Sequence, residues 1–235
     1  MKKNNFRRFA RLLLLWIPLG FIVLTFLWVF LLKWIPPVTT PLMVKRAIEF
    51  RADKDYHNCY EWVSYDKISA EMARAVIASE DKPFFDHHGF NIKAIKEAIQ
   101  ENREGKTSWH GGSSISQQTA KNVFCTHRHD FVRKAFETYF TVLIEWLWGK
   151  KRILEVYLNV VETGKGLYGV QAAATHYWDE NASQITLQQA YLLAACLPSP
   201  LKRSPIAPDG YVMSQAYTIS CAIDSLSYPD WIYHR

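Results

Sequence analysis

The chain has 235 residues, with 28 Lys+Arg against 22 Asp+Glu and a formal net charge of +6. Six of the bases and none of the acids fall in residues 1–33, so 22 bases face 22 acids in the remainder. That balance excludes the phosphate-tracking face of a general nucleic-acid binder. Cys59, Cys125, Cys196 and Cys221 show neither CxxC nor Cys/His metal spacing.

The chain opens on a basic tail, residues 1–11, carrying Lys2, Lys3, Arg7, Arg8 and Arg11. An uncharged run, 12–32, follows and is closed by Lys33. At about 1.5 Å of rise per residue such a helix crosses roughly 30 Å, the hydrocarbon thickness of a bilayer. Pro18 and Gly20 lie inside the run, which membrane helices tolerate. A cleaved signal peptide would carry an apolar core of about 7–15 residues and a small-x-small site. Lys33-Trp34-Ile35-Pro36-Pro37 offers no such site. The expectation is an uncleaved single-pass anchor over 12–35, with the basic end in the cytoplasm and residues 36–235 exported as one domain. Pro36, Pro37 and Pro41 make a short, stiff exit that keeps this domain close to the bilayer.

Beyond the exit most segments carry the helical period. Helices are predicted over 69–80, 91–102 with Asn91 as N-cap, 114–122 with Ser113 or Ser114 as cap, 131–148 and 151–160. Gly164, Gly166 and Gly169 break the chain before a helix over 170–177. Thr186 caps the helix over 187–197, and Pro198 and Pro200 end it. Only 62–65 alternates at period two. The class is all-α, with at most a marginal hairpin. Export permits disulfides, but four cysteines allow three pairings and the sequence selects none. Cys196, in an apolar run, reads as a buried thiol.

The polar residues concentrate in three places. Glu80-Asp81 ends an apolar helix at a turn containing Phe84, Phe85, His87 and His88. A carboxylate partly desolvated there acquires a raised pKa and suits a general base, and the neighbouring Asp81 charge adds to its basicity. A solvated acid at a helix end is the bland alternative. Ser114, Gln118 and Lys121 share one helix face, where a hydroxyl, an amide and an ammonium suit a sugar and a phosphate. Arg133 and Glu137, four apart, form either a surface ion pair or a basic residue facing a pyrophosphate beside an acid that aligns a metal. The histidines lack a second ligand cluster and read as structural or as surface residues.

Six ordered motifs carry a resemblance. They are Glu80-Asp81-x-x-Phe84-x-x-His87-x-Gly89, Gly111-Gly112-Ser113-Ser114-x-Ser116-Gln117-Gln118-x-x-Lys121-Asn122, and Arg133-Lys134-x-x-Glu137. Then come Arg152-Ile153-Leu154-Glu155-Val156-Tyr157-Leu158-Asn159, Gly169-Val170-Gln171-Ala172-Ala173-Ala174-x-x-Tyr177, and Leu192-Leu193-Ala194-Ala195-x-Leu197-Pro198-x-Pro200. Together they span about residues 40–205, and the chain resembles the family-51 peptidoglycan glycosyltransferases in their monofunctional biosynthetic form. Ser64-Tyr65-Asp66-Lys67 matches the SxxK of transpeptidases, but without the companion motifs it is a chance match.

The resemblance implies a lysozyme-like, two-lobed, all-α domain behind the anchor, its smaller lobe mainly between the first two motifs. It implies polymerisation of lipid II in cell wall biosynthesis and cell shape, by inverting β-1,4 transfer with release of undecaprenyl pyrophosphate. Glu80 and Glu137 are then the catalytic residues, with Glu137 beside a divalent cation, Mg²⁺ or Mn²⁺. Asp81, Phe84, Ser114, Gln118, Lys121, Asn122, Arg133 and Lys134 are the expected substrate contacts. Partners are lipid II and the growing glycan, the membrane, and wall-synthesis or cell-division proteins. The location is the inner membrane, with the catalytic domain periplasmic. Ser114 stands where Thr is usual, Arg128 and His129 occupy a loop where relatives carry a phosphate-binding Arg, and the chain after about Pro208 resembles the family weakly. A glycan-cleaving lytic enzyme and a non-catalytic scaffold are the competing readings.

Overall fold

The computed structural model describes residues 2–54, 56–103, 112–126 and 131–233. The chain divides into two compact units, residues 1–36 and 37–235. The first is one helix, α1 (Lys2–Leu32), with Pro18 inside it. Its stretch Leu14–Leu32 is long and apolar enough to cross a membrane, with 19 residues at a mean hydropathy of 2.5. The Thr25 hydroxyl donates to Phe21 O at 2.8 Å, so even this polar group is satisfied within the helix.

The second unit is helical, as the periodicity predicts. It contains α2 (Pro41–Glu49), α3 (Ala70–Glu80), α4 (Ile92–Arg103), α5 (Ile115–Phe124), α6 (Phe131–Leu147) and α7 (Gly149–Val160). The series continues with α8 (Gly169–Trp178), α9 (Leu187–Cys196) and α10 (Gly210–Ile223). The side chains of Asn91 and Thr186 accept from Ala94 N and Gln189 N, as N-caps should. Strand β1 (Cys59–Tyr60) pairs parallel with β3 (Leu167–Tyr168), which pairs antiparallel with β2 (Glu162–Gly164). The strand expected at 62–65 is thus displaced, because Tyr65–Lys67 tightens into a 3-10 turn. Two helices carried no clear sequence signal. The first, α2, is a nine-residue helix capped by Thr40, whose Oγ1 accepts from Met43 N. The second, α10, is capped by Asp209, whose carboxylate accepts from Val212 N at 2.7 Å.

Two helix clusters position the cleft. α3 packs against α9 and α10, and α5 packs against α6 and α7. Small residues make the first cluster close: Ala73, Ala75 and Ala78 of α3 and Ala190, Ala194 and Ala195 of α9 are at most 2% exposed. Close backbone approach leaves no void beside α3, and the position of its C-terminal residue, Glu80, is fixed by that packing. All four cysteines are free, and burial pushes the Cys125 and Cys196 thiols up to about 11.

Candidate active site

Glu80 ends α3 and Asp81 is its C-cap, so the adjacent carboxylates leave the helix in different directions. Asp81 turns inward and is 4% exposed. Its Oδ1 and Oδ2 lie 2.9 and 3.0 Å from His87 Nε2, and Oδ2 accepts from Ile115 N at 3.0 Å. The Gly89 amide donates to His87 Nδ1 at 3.1 Å, which leaves Nε2 to donate to Asp81. One carboxylate therefore ties the turn after α3 to the first residue of α5. Gly89 is needed at the end of this turn, where φ is +88° and a Cβ would lie 2.7 Å from Thr141 Cγ2.

Glu80 remains half-buried at the cleft. Its Oε2 accepts from Gln118 Nε2 at 2.7 Å, and Tyr157 Oη of α7 donates to Gln118 Oε1 at 3.4 Å. Burial pushes the Glu80 carboxyl above the ordinary carboxylate range, opposed by the Gln118 hydrogen bond and the Lys121 charge and reinforced by Asp81. An ionisable oxygen held by one neutral donor is what proton abstraction near neutrality requires.

Lys121 lies one turn beyond Gln118, between the acids at 80 and 137. Burial lowers its pKa, as do the Arg133 and Lys134 charges, while Glu137 and Glu80 raise it. Glu137 itself is almost wholly buried, its side chain 3% exposed. Arg133 Nη1 donates to its Oε2 at 2.5 Å and Lys134 Nζ to its Oε1, from the preceding turn of α6. Among the described residues, Glu137 thus draws Lys121, Arg133 and Lys134 into one basic group beside Glu80. Such a group is suited to an anion that gains charge as a bond to it breaks.

A divalent cation at Glu137 would find one protein carboxylate and would draw its other ligands from substrate phosphate oxygens and water. Among the described residues no three His, Cys, Asp or Glu side chains converge to hold a metal ion. Both Glu137 oxygens face cationic donors, so an ion ligated there would sit against like charge with a single carboxylate.

Three expected contacts are architectural instead. Phe84 is fully buried, with its ring 4.6 Å below Lys150 Nζ, because the turn drives it into the core. The Ser114 hydroxyl donates to Gly89 O at 2.5 Å and accepts from Gln117 N in a capping box, leaving it 2% exposed and no part of the cleft surface. Asp81 is the hub of the turn. Asn122 is buried at 5% exposure near the end of α5. Arg128 and His129 lie outside the described residues. Glu145, singled out by no motif, accepts from Lys150 Nζ at 2.7 Å and from Ser116 Oγ, and so ties α6 to α5 and α7.

Comparison with known proteins identifies a family and close relatives. A family model described as transglycosylase matches residues 48–220. The chain is 46% identical over 216 residues to a biosynthetic peptidoglycan transglycosylase of Caulobacter vibrioides, covering 92% of each chain. A protein of the same description from Bacteroides thetaiotaomicron is 44% identical over 209 residues, 88% of this chain and 82% of that one. One from Pseudomonas entomophila is 42% identical over 233 residues, 99% and 96%.

Proposed function

This chain belongs to the transglycosylase family, and from that premise we propose that Glu80 is the general base of lipid II polymerisation. The protein is a peptidoglycan glycosyltransferase of cell wall synthesis. In the proposed step the Glu80 carboxylate takes the proton of the GlcNAc 4-hydroxyl on the acceptor lipid II. The freed oxygen attacks the anomeric carbon of the terminal MurNAc on the growing chain. The bond from that carbon to the pyrophosphate breaks with its electron pair on the phosphate oxygen, α inverts to β, and undecaprenyl pyrophosphate leaves.

The observation that carries this reading is the placement of Glu80: half-buried, held by Gln118, and coupled to a basic group of Lys121, Arg133 and Lys134 organised by Glu137. A base beside a cation cluster fits a hydroxyl nucleophile and a diphosphate leaving group in one cleft. Lys121 and Arg133 hold the pyrophosphate, Glu137 keeps the cations in place, and Gln118 orients the base. No step is assigned to a metal ion. The five bases before the uncharged run at 12–32 support a cytoplasmic N-terminus, which puts residues 37–235 on the periplasmic side of the inner membrane, with wall-synthesis or cell-division proteins as neighbours.

Polymerisation of lipid II by the full chain in detergent, assayed with parent and Glu80→Gln, tests the reading. Glycan strands from the parent and a rate lower by about 10²–10⁴ from the variant are expected. Digestion of isolated sacculi without lipid II would instead identify a lytic enzyme.

A further inference from the structure

The family match ends at residue 220, yet the chain continues through α10 into a segment that returns to the catalytic turn. α10 ends at Ile223, where Ser225 donates from both its amide and its hydroxyl to Ala222 O. Tyr228 Oη donates to Ile223 O at 2.9 Å, and Pro229 leads a 3-10 turn, Asp230–Tyr233, closed by Ile232 N on Pro229 O at 3.0 Å. Ile232 is fully buried, so the turn is anchored in the core.

This anchored turn touches α3 at its middle and again just past its end. In the middle, the Arg74 guanidinium stacks over Tyr228 at 5.2 Å and over Tyr233 at 5.6 Å, while its Nη2 donates to Asp224 at 2.7 Å. Past the end, the Trp231 ring meets Phe85 edge-on at 5.8 Å and 83°. It also meets Tyr65 at 5.5 Å, and Tyr65 N in turn donates to Glu155 of α7. Phe85 lies five residues after Glu80. Its neighbour Phe84 is fully buried beneath Lys150 and meets the Phe85 ring edge-on at 5.2 Å, so the contact from Trp231 runs through both aromatics into the core.

We infer that residues 224–233 form a brace for the catalytic turn, in which Trp231 acts as a positioning residue for Glu80 through Phe85. The inference rests on Glu80 being the base. Asp81, His87 and Ile115 fix the inner side of the turn, whereas Trp231 supports its outer side. Loss of that support lets the turn tilt, moves Glu80 against Gln118 and admits water beside the carboxylate. The charged and titratable groups facing Glu80 are Lys121 of α5, Tyr157 of α7 and its own neighbour Asp81. Trp231→Ala changes none of them, so any change in Glu80 titration reports hydration of the turn.

The test compares parent, Trp231→Ala, Trp231→Phe, Phe85→Leu and Glu80→Gln in lipid II polymerisation, with thermal melting followed in parallel. In Trp231→Ala, kcat falls roughly tenfold to a hundredfold, the scale expected of a misplaced catalytic group. KM stays within about twofold of the parent, as expected when the loss falls on the chemical step. Burial is the main cause holding the Glu80 carboxyl high, so hydration moves the acidic limb of kcat/KM to lower pH. Trp231→Phe keeps an aromatic edge on Phe85 and restores most of the rate. Phe85→Leu reproduces the limb shift from the other side of the contact and carries the test if Trp231→Ala does not fold. A parent-like kcat, or a melting loss with an unmoved acidic limb, overturns the brace. A Glu80→Gln rate above about a tenth of the parent's would instead overturn the assignment of the base.

Discussion

Glu80 and Asp81 are adjacent, yet the fold gives them opposite work, and conservative amide substitutions separate the two. Glu80→Gln keeps size and a carbonyl oxygen for Gln118 Nε2 but removes the proton acceptor. General-base catalysis is worth about 10²–10⁴ in rate, so kcat should fall by that factor, equivalent to about 2.7–5.4 kcal/mol. Stability should move the other way. A carboxyl whose folded pKa lies above its unfolded value binds protons more tightly in the fold. Its contribution is complete at low pH and is lost as pH rises through the folded pKa. Wherever Glu80 is ionised it therefore weakens the fold, and glutamine removes that cost.

Asp81→Asn does the reverse. The carboxylate accepts from His87 Nε2 through both oxygens and from Ile115 N through Oδ2, and an amide loses one of these oxygens while turning its NH₂ toward a donor. Hydrogen bonds to charged groups contribute about 1.5–3 kcal/mol each, so the net loss is about 2–4 kcal/mol. For a domain of this size that lowers Tm by roughly 5–15 °C. The assays are lipid II polymerisation and calorimetric melting on both variants. A Glu80→Gln protein that melts as low as Asp81→Asn, or that keeps more than about a tenth of the parent rate, would refute the division of roles.

Three further outcomes follow from the cleft. Gln118→Leu removes a hydrogen bond that lowers the Glu80 pKa, so the acidic limb of the pH–rate profile should shift upward, and an unmoved limb would remove Gln118 from the base's environment. Lys121→Met removes both a charge that lowers the Glu80 pKa and a pyrophosphate contact. It should lower kcat by at least about tenfold, more than it raises KM, as expected of a contact that strengthens in the transition state. Substrate-free protein should show no one-to-one Mn²⁺ binding by electron paramagnetic resonance in the micromolar range, because Glu137 is already paired with Arg133 and Lys134; a tight stoichiometric signal would restore a protein-built metal seat.

Helix α6 was legible because it buries one face, through Glu137, Phe140, Thr141 and Ile144, and that burial writes a period near 3.6 into the sequence. α10 was less legible because it follows a proline-rich stretch, and its signal is a single Asp209 cap with scattered apolar residues. The motifs indicated which polar residues gather, but not which way each one points. Glu80 and Asp81 are indistinguishable in sequence; helix geometry sends one to the cleft and the other to His87. Phe84 and Phe85 are equally alike, and the same turn buries the first and sets the second on Trp231. Contacts made by residues far apart in the chain, such as Ser116 on Glu145, leave no local pattern to read.

The pairing of a raised Glu80 with a depressed Lys121 has a mechanistic consequence. In the cleft without substrate, burial disfavours the charged form of both groups, and the positive neighbours Arg133 and Lys134 further disfavour a charged Lys121. An arriving diphosphate favours the charged ammonium. As the glycosyl bond breaks, negative charge grows on the diphosphate oxygen, so the attraction is greater in the transition state than in the ground state. The same ammonium favours ionised Glu80 before proton transfer. In the proposed step Lys121 acts on both ends of the reaction: its charge favours the ionised base and the departing diphosphate alike.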